Sequence, residues 1–167
     1  MLPYLLFFAL GLAALLQVSF LPALRIAGVY PNLALVIVVV WALLRNTRSA
    51  VGWALIAGLW LDLLSGSVFG VYTLGLVAAA ALTGTSGQTV YRPSPLLAVI
   101  MLTISTALQY FIQMTLLWLN GTTLVIGDIL LRLTLPEIVY NCLVMLALYP
   151  LLVRIERATG QERLPLE

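Results

Sequence analysis

The sequence predicts an all-α integral membrane protein, a bundle of six transmembrane helices joined by short loops. Three observations lead there. Hydrophobic residues make up 63% of the chain and charged ones 8%, with a mean hydropathy of +1.13, which leaves too little polar surface to cover a soluble globule. The apolar runs succeed one another almost without a gap, each near the ~20 residues that cross a ~30 Å hydrocarbon core. The separators are short strings of turn and charged residues, none long enough to fold on its own. One transmembrane domain therefore fills all 167 residues, with no room for a soluble catalytic domain beside it.

The spans are expected at 2–24, 26–44, 50–66, 70–90, 95–119 and 129–153, with a short tail over 154–167. The first lacks a positive leader, and its apolar run exceeds the ~7–15 residues of a secretory signal, so it reads as a helix. Arg25 and Gly28 come after it, and Pro31 opens the second span, where a missing N–H is tolerated in a first turn. Arg45-Asn46-Thr47-Arg48 separates the second from the third, which is the shortest and is broken by Ser65-Gly66-Ser67. Gly66 and Gly70 match G-x-x-x-G but read as the end of one helix and the start of the next. Arg92-Pro93-Ser94-Pro95 and Asn120-Gly121-Thr122-Thr123 supply the last two turns. Asp128 suits the start of the lead-in to the sixth span and stands four residues before Arg132.

Arginine placement sets the orientation. Arg45, Arg48 and Arg92 lie on one side with Arg154, Arg157 and Arg163 of the tail, against Arg25 and Arg132 on the other. The positive-inside rule then predicts both termini in the cytoplasm, with Trp118 and Tyr149 near span ends as interfacial aromatics. A net charge of +2 spread over scattered arginines excludes a nucleic-acid surface. Cys142 is alone, so no intramolecular disulfide forms, and cysteine usage says nothing of the compartment.

On this topology the polar residues gather at one depth, in the outer half. Gln17 lies about two turns from the end of the first helix and Asp62 in the last turn of the third. Tyr72 and Thr73 enter the fourth helix at that level, and Gln109 and Gln113 share a face of the fifth. Glu137 and Asn141, also four apart, enter with the sixth. Lipid cannot solvate such a layer, so it must face the bundle interior or an outward cavity. Two readings compete. In one the amides are interhelical glue worth roughly 0.5–2 kcal/mol each, and Asp62 meets water or Arg25. In the other the layer binds a ligand or seats a partner's transmembrane helix, and the cost of burying a charge tips Asp62 and Glu137 toward this role. Pro136, just before Glu137, frees a carbonyl and opens a concavity beside the carboxylate.

Gly75, Ala79, Thr83 and Gly87 form a small-residue stripe at i,i+4 spacing, expected to be an internal packing seam, and Ala9 with Ala13 a shorter one. Chemistry is tested by subtraction. The absence of histidine removes Ser–His dyads and His-ligated metals or haem, and Asp62 has no second intramembrane aspartate for a di-aspartyl protease. No nucleophile or cofactor motif stands beside Asp62 and Glu137. The expectation is a protein without catalytic residues, metal or cofactor.

"PNLALVIVVVWALLR" (Pro31 to Arg45), "GLWLDLLSGSVFGVYTLGL" (Gly58 to Leu76) and "LPEIVYNCLVMLALYPLL" (Leu135 to Leu152) resemble the MreD family of bacterial rod shape-determining membrane proteins. The likeness spans nearly the whole chain, and its most specific parts are the run from Asp62 to Ser67, the Pro31 opening and the stretch from Tyr140 to Pro150. Asn32 departs from it, standing where an aspartate is common. The resemblance implies a non-enzymatic component of the elongation machinery for peptidoglycan in the bacterial inner membrane. It would bind MreC and help position a class B penicillin-binding protein and its SEDS-family glycosyltransferase in register with MreB, which it meets indirectly. The predicted bundle also resembles the substrate-capturing subunits of energy-coupling-factor vitamin transporters. On that likeness Trp60, Asp62, Tyr72, Gln109, Gln113, Glu137 and Asn141 would line a vitamin site, and Ala9 and Ala13 would touch a coupling subunit.

Overall fold

In hydrocarbon, long apolar runs leave the backbone no partner but itself, and they fold as helices. The computed structural model describes residues 2–25, 28–45, 47–89, 95–122 and 126–159, the side chains of 2–6, 9, 24, 87–89, 126 and 156–159 excepted. Asn46, Arg92, Pro93, Ser94, Thr123 and Arg163 lie outside the described residues, and of Ala9, Gly87 and Arg157 only the helical backbone is described. In chain order the helices are α1 (Leu2–Ser19), α2 (Leu33–Leu44), α3 (Thr47–Ser65), α4 (Val71–Thr89), α5 (Pro95–Leu119), α6 (Ile126–Ile129) and α7 (Leu135–Thr159). A 3-10 turn, Leu21–Leu24, comes after α1, and a π-helical stretch, Leu130–Thr134, joins α6 to α7. Two rods, Pro95–Leu119 and Gly127–Ile155, are long and apolar enough to cross a bilayer.

The second helix corrects the expectation of 26–44. It begins only at Leu33 and has 12 residues, about 18 Å at ~1.5 Å per residue, well short of a ~30 Å core. Pro31 withholds an N–H, and the Asn32 side chain accepts the Leu35 N–H at 3.0 Å, so the helix is capped where the hydropathy pattern would run on. Gly28, at φ +86°, turns the chain ahead of it in a conformation that favours glycine. Short as it is, α2 is the axis of the molecule. It packs against α1, α3, α4, α5 and α7, and Ala34 to Val36 and Val38 to Leu43 are buried around its whole circumference.

Close helix approach around this axis depends on glycine. A Cβ added to Gly58 of α3 would fall 2.4 Å from the Thr73 Cα of α4, and one added to Gly84 of α4 would fall 2.8 Å from the Thr47 Cα of α3. We expect Gly58→Ala to force α3 and α4 apart at a cost of roughly 1–3 kcal/mol, read as a lowered melting temperature. Gly52→Ala, where a Cβ meets nothing within 4 Å, should leave stability unchanged or raise it by up to about 1 kcal/mol. An unshifted Gly58→Ala would contradict the tight α3–α4 seam. The stripe on α4 faces α5. Gly75 abuts Gln109, Ala79 is fully buried, and Thr83 Oγ1 meets Ser105 Oγ at 3.3 Å. On α1, Gly11 seats against Trp60 of α3, while Ala13 is half-buried.

Pro136 lies in the first turn of α7, where it leaves the Arg132 carbonyl without its usual donor. The wider π turn just before it accommodates the ring, with the Leu135 N–H donating to Leu130 O and Thr134 Oγ1 to Ile129 O at 3.2 Å. The outside of the bundle is apolar: Phe8, Leu12, Leu63, Leu96, Phe111, Val139 and Leu143 are exposed. Inside lie Gln17, Asn32, Asp62, Thr106, Gln109 and Asn141, all buried. Large apolar side chains cover the outside as well as the core, and the buried polar ones lie inside, the arrangement expected where hydrocarbon is the solvent.

Candidate functional site

Where α2 stops short, its exposed backbone donors need partners, and the neighbouring helices supply them as side-chain amides. Asn32 is the hub. Its Oδ1 accepts from Gln17 Nε2 at 2.9 Å as well as from the Leu35 N–H, and its Nδ2 donates to Gln109 Oε1 at 3.3 Å. The Asn32 N–H donates to Asn141 Oδ1 at 2.7 Å, and Gln17 Oε1 takes the Ala34 N–H at 3.0 Å. Asn141 Nδ2 lies 3.3 Å from Thr106 Oγ1 and 3.5 Å from Glu137 Oε1, and the Tyr110 hydroxyl donates to Glu137 Oε2. Thus α1, α2, α5 and α7 are tied at one end of the bundle by a single buried network, in which each bond gains strength from the low dielectric around it.

Asp62 is buried but stands apart from this network. Its carboxylate accepts the Tyr72 N–H at 2.9 Å, the Thr73 N–H at 3.1 Å and the Thr73 hydroxyl at 2.5 Å. The first turn of α4 begins after Gly70, which has no side-chain oxygen to offer. Asp62 therefore caps α4 from a different helix, with its negative charge at the positive end of the α4 dipole. Arg25 is not its partner, since that guanidinium sits over the Tyr30 ring, 5.6 Å from its centroid. Asp128 and Arg132 pair at 3.2 Å on the exposed surface.

Next to the network a cleft of about 160 Å³ opens, lined by Gln17, Tyr30, Asn32, Tyr72, Gln109, Tyr110, Gln113, Leu133 and Glu137, with Gly28 and Val29. Of the residues singled out in the sequence, Gln17, Tyr72, Gln109, Gln113 and Glu137 meet there, whereas Asp62, Asn141 and Trp60 do not line it. Trp60 lies instead in an apolar groove of about 200 Å³ between α1 and α3, with Phe7, Ile56, Leu59 and Leu63. The cleft is smaller than the roughly 300–1,000 Å³ usual for small-molecule sites. Tyr30, Tyr110, Thr106 and the central place of Asn32 do not stand out in the sequence. The periodicity held one signal, because Thr106, Gln109, Tyr110 and Gln113 recur at i, i+3, i+4 and i+7 on one face of α5. Among the described residues no group of three or more His, Cys, Asp or Glu gathers to hold a metal.

A family model described as rod shape-determining protein MreD matches residues 1–157 of the chain. No curated protein and no solved structure matches it.

Proposed function

The chain belongs to the MreD family of rod shape-determining proteins, and from that membership we propose that it is a multi-pass membrane adaptor that binds MreC. Through MreC it would position a class B penicillin-binding protein and its SEDS-family glycosyltransferase, with the network end of the bundle outside and both termini in the cytoplasm. The family is one of rod shape-determining proteins, and work by contact rather than by chemistry is the mode we infer for this chain.

The observation that carries this reading over a vitamin carrier is the cleft. It is small for a vitamin, and the residues the carrier reading requires are divided among four places: the cleft, the buried network at Asn141, the α4 cap at Asp62 and the α1–α3 groove at Trp60. The buried amides and Asp62 frame the fold, while Tyr72, Gln113 and Glu137 are the side chains of the layer that a bound group would meet. Partner helices would then pack along the apolar flanks, where Leu59 of α3 and Leu143 of α7 are exposed.

A photo-crosslinking residue placed at Leu59 or at Leu143 in the native membrane tests this. An MreC adduct from at least one of the two positions is expected. No MreC adduct from either, with the protein at normal abundance, contradicts lateral binding.

A further inference from the structure

We infer that the cleft beside the buried network holds the headgroup of an ethanolamine phospholipid, with the ammonium at Glu137 and the phosphate at Arg25. Tyr30, Tyr72 and Tyr110 line the cleft with Glu137, which brings aromatic faces and a carboxylate to one small space, the chemistry that selects an ammonium ion. Both Glu137 oxygens face donors already, Tyr110 on one side and Asn141 on the other, so the carboxylate is held in place for a further donor. The chain cannot fill this position with a lysine of its own, because all eight of its basic residues are arginines.

Arg25 supplies the second half of the match. It is exposed and stacks on Tyr30, so a cation stands one ring away from a cleft that the Glu137 carboxyl group lines. A zwitterion is complementary in charge to that pair. A lipid rather than a soluble amine is indicated by Leu133, which both lines the cleft and is exposed, between the exposed Leu131 and Leu135. Acyl chains would lie along the apolar surface that Leu133 presents beside the cleft. A volume of about 160 Å³ suits a headgroup and excludes the rest of the lipid.

The inference goes beyond the adaptor reading and does not rest on it; crosslinking to MreC can fail while lipid selectivity stands. Native mass spectrometry of the full-length chain, released from detergent with equal amounts of phosphatidylethanolamine and phosphatidylglycerol, tests it. One retained phosphatidylethanolamine is expected, preferred roughly tenfold. Free phosphoethanolamine in excess should not displace it. Arg25→Ala, an exposed site that the fold does not need, and Glu137→Gln, which keeps an acceptor for Tyr110, should each reduce the preference severalfold. Equal adducts of the two lipids, displacement by the free headgroup, or a preference that survives both substitutions would overturn the assignment.

Discussion

Replacing Asn32 with leucine is expected to cost about 4 kcal/mol and to lower the melting temperature in detergent by roughly 10 °C. The reason is the number of groups left without partners. Gln17 Nε2, the Leu35 N–H and Gln109 Oε1 all meet the Asn32 side chain, and each buried polar group stranded in this way costs roughly 1–3 kcal/mol. Asn32 is 4% exposed, so these partners lie away from bulk water. Asn32→Asp should behave differently. The carboxylate keeps the cap and the Gln17 bond, and rotation of the Gln109 amide turns its NH₂ toward the new oxygen, so a loss below about 1.5 kcal/mol is expected. This accounts for how aspartate, which the family resemblance leads one to expect at this position, can occupy it. Equal losses for Leu and Asp would refute the hub.

Asp62→Ala is expected to cost about 3 kcal/mol. It strands the Tyr72 and Thr73 N–H groups at the start of α4 and removes the acceptor of the Thr73 hydroxyl. Asp62→Asn retains one oxygen and should lose less, with its NH₂ set against a backbone donor. Chemical denaturation, or thermal melting of the purified protein, reads both. Any loss of MreC capture by these variants should track the loss of folded protein. Full stability of Asp62→Ala together with lost capture would instead make Asp62 a partner seat.

Much of the architecture is legible in the residues, and the exceptions have physical causes. α5 at Pro95–Leu119 could be read from its apolar run because proline starts it and Asn120-Gly121 stops it. The start of α2 could not, because the segment from Ile26 to Val29 is as apolar as the helix beyond it. Only the Pro31-Asn32 pair reveals that the chain enters unwound and is then capped. Asp62 was visible as a charge near a helix end. Its partner was not, since a cap supplied by α3 to α4 leaves no local pattern; the nearest hint is Gly70, which starts a helix with no side chain to cap it. Gln109 and Gln113 differ for a similar reason. They share a face, but only Gln109 reaches the depth at which α2 ends, so it joins the buried network while Gln113 borders the cleft. Helical periodicity assigns faces well and depths poorly when one helix of the bundle is short.

A membrane adaptor whose polar end is built into its own fold, rather than into a carrier site, is tested most directly by affinity purification. The full chain is drawn from native membranes in mild detergent, and both proteins and metabolites are identified by mass spectrometry. Recovery of MreC with no vitamin-class metabolite is the predicted result. A stoichiometric vitamin-class metabolite, recovered without MreC, would contradict it.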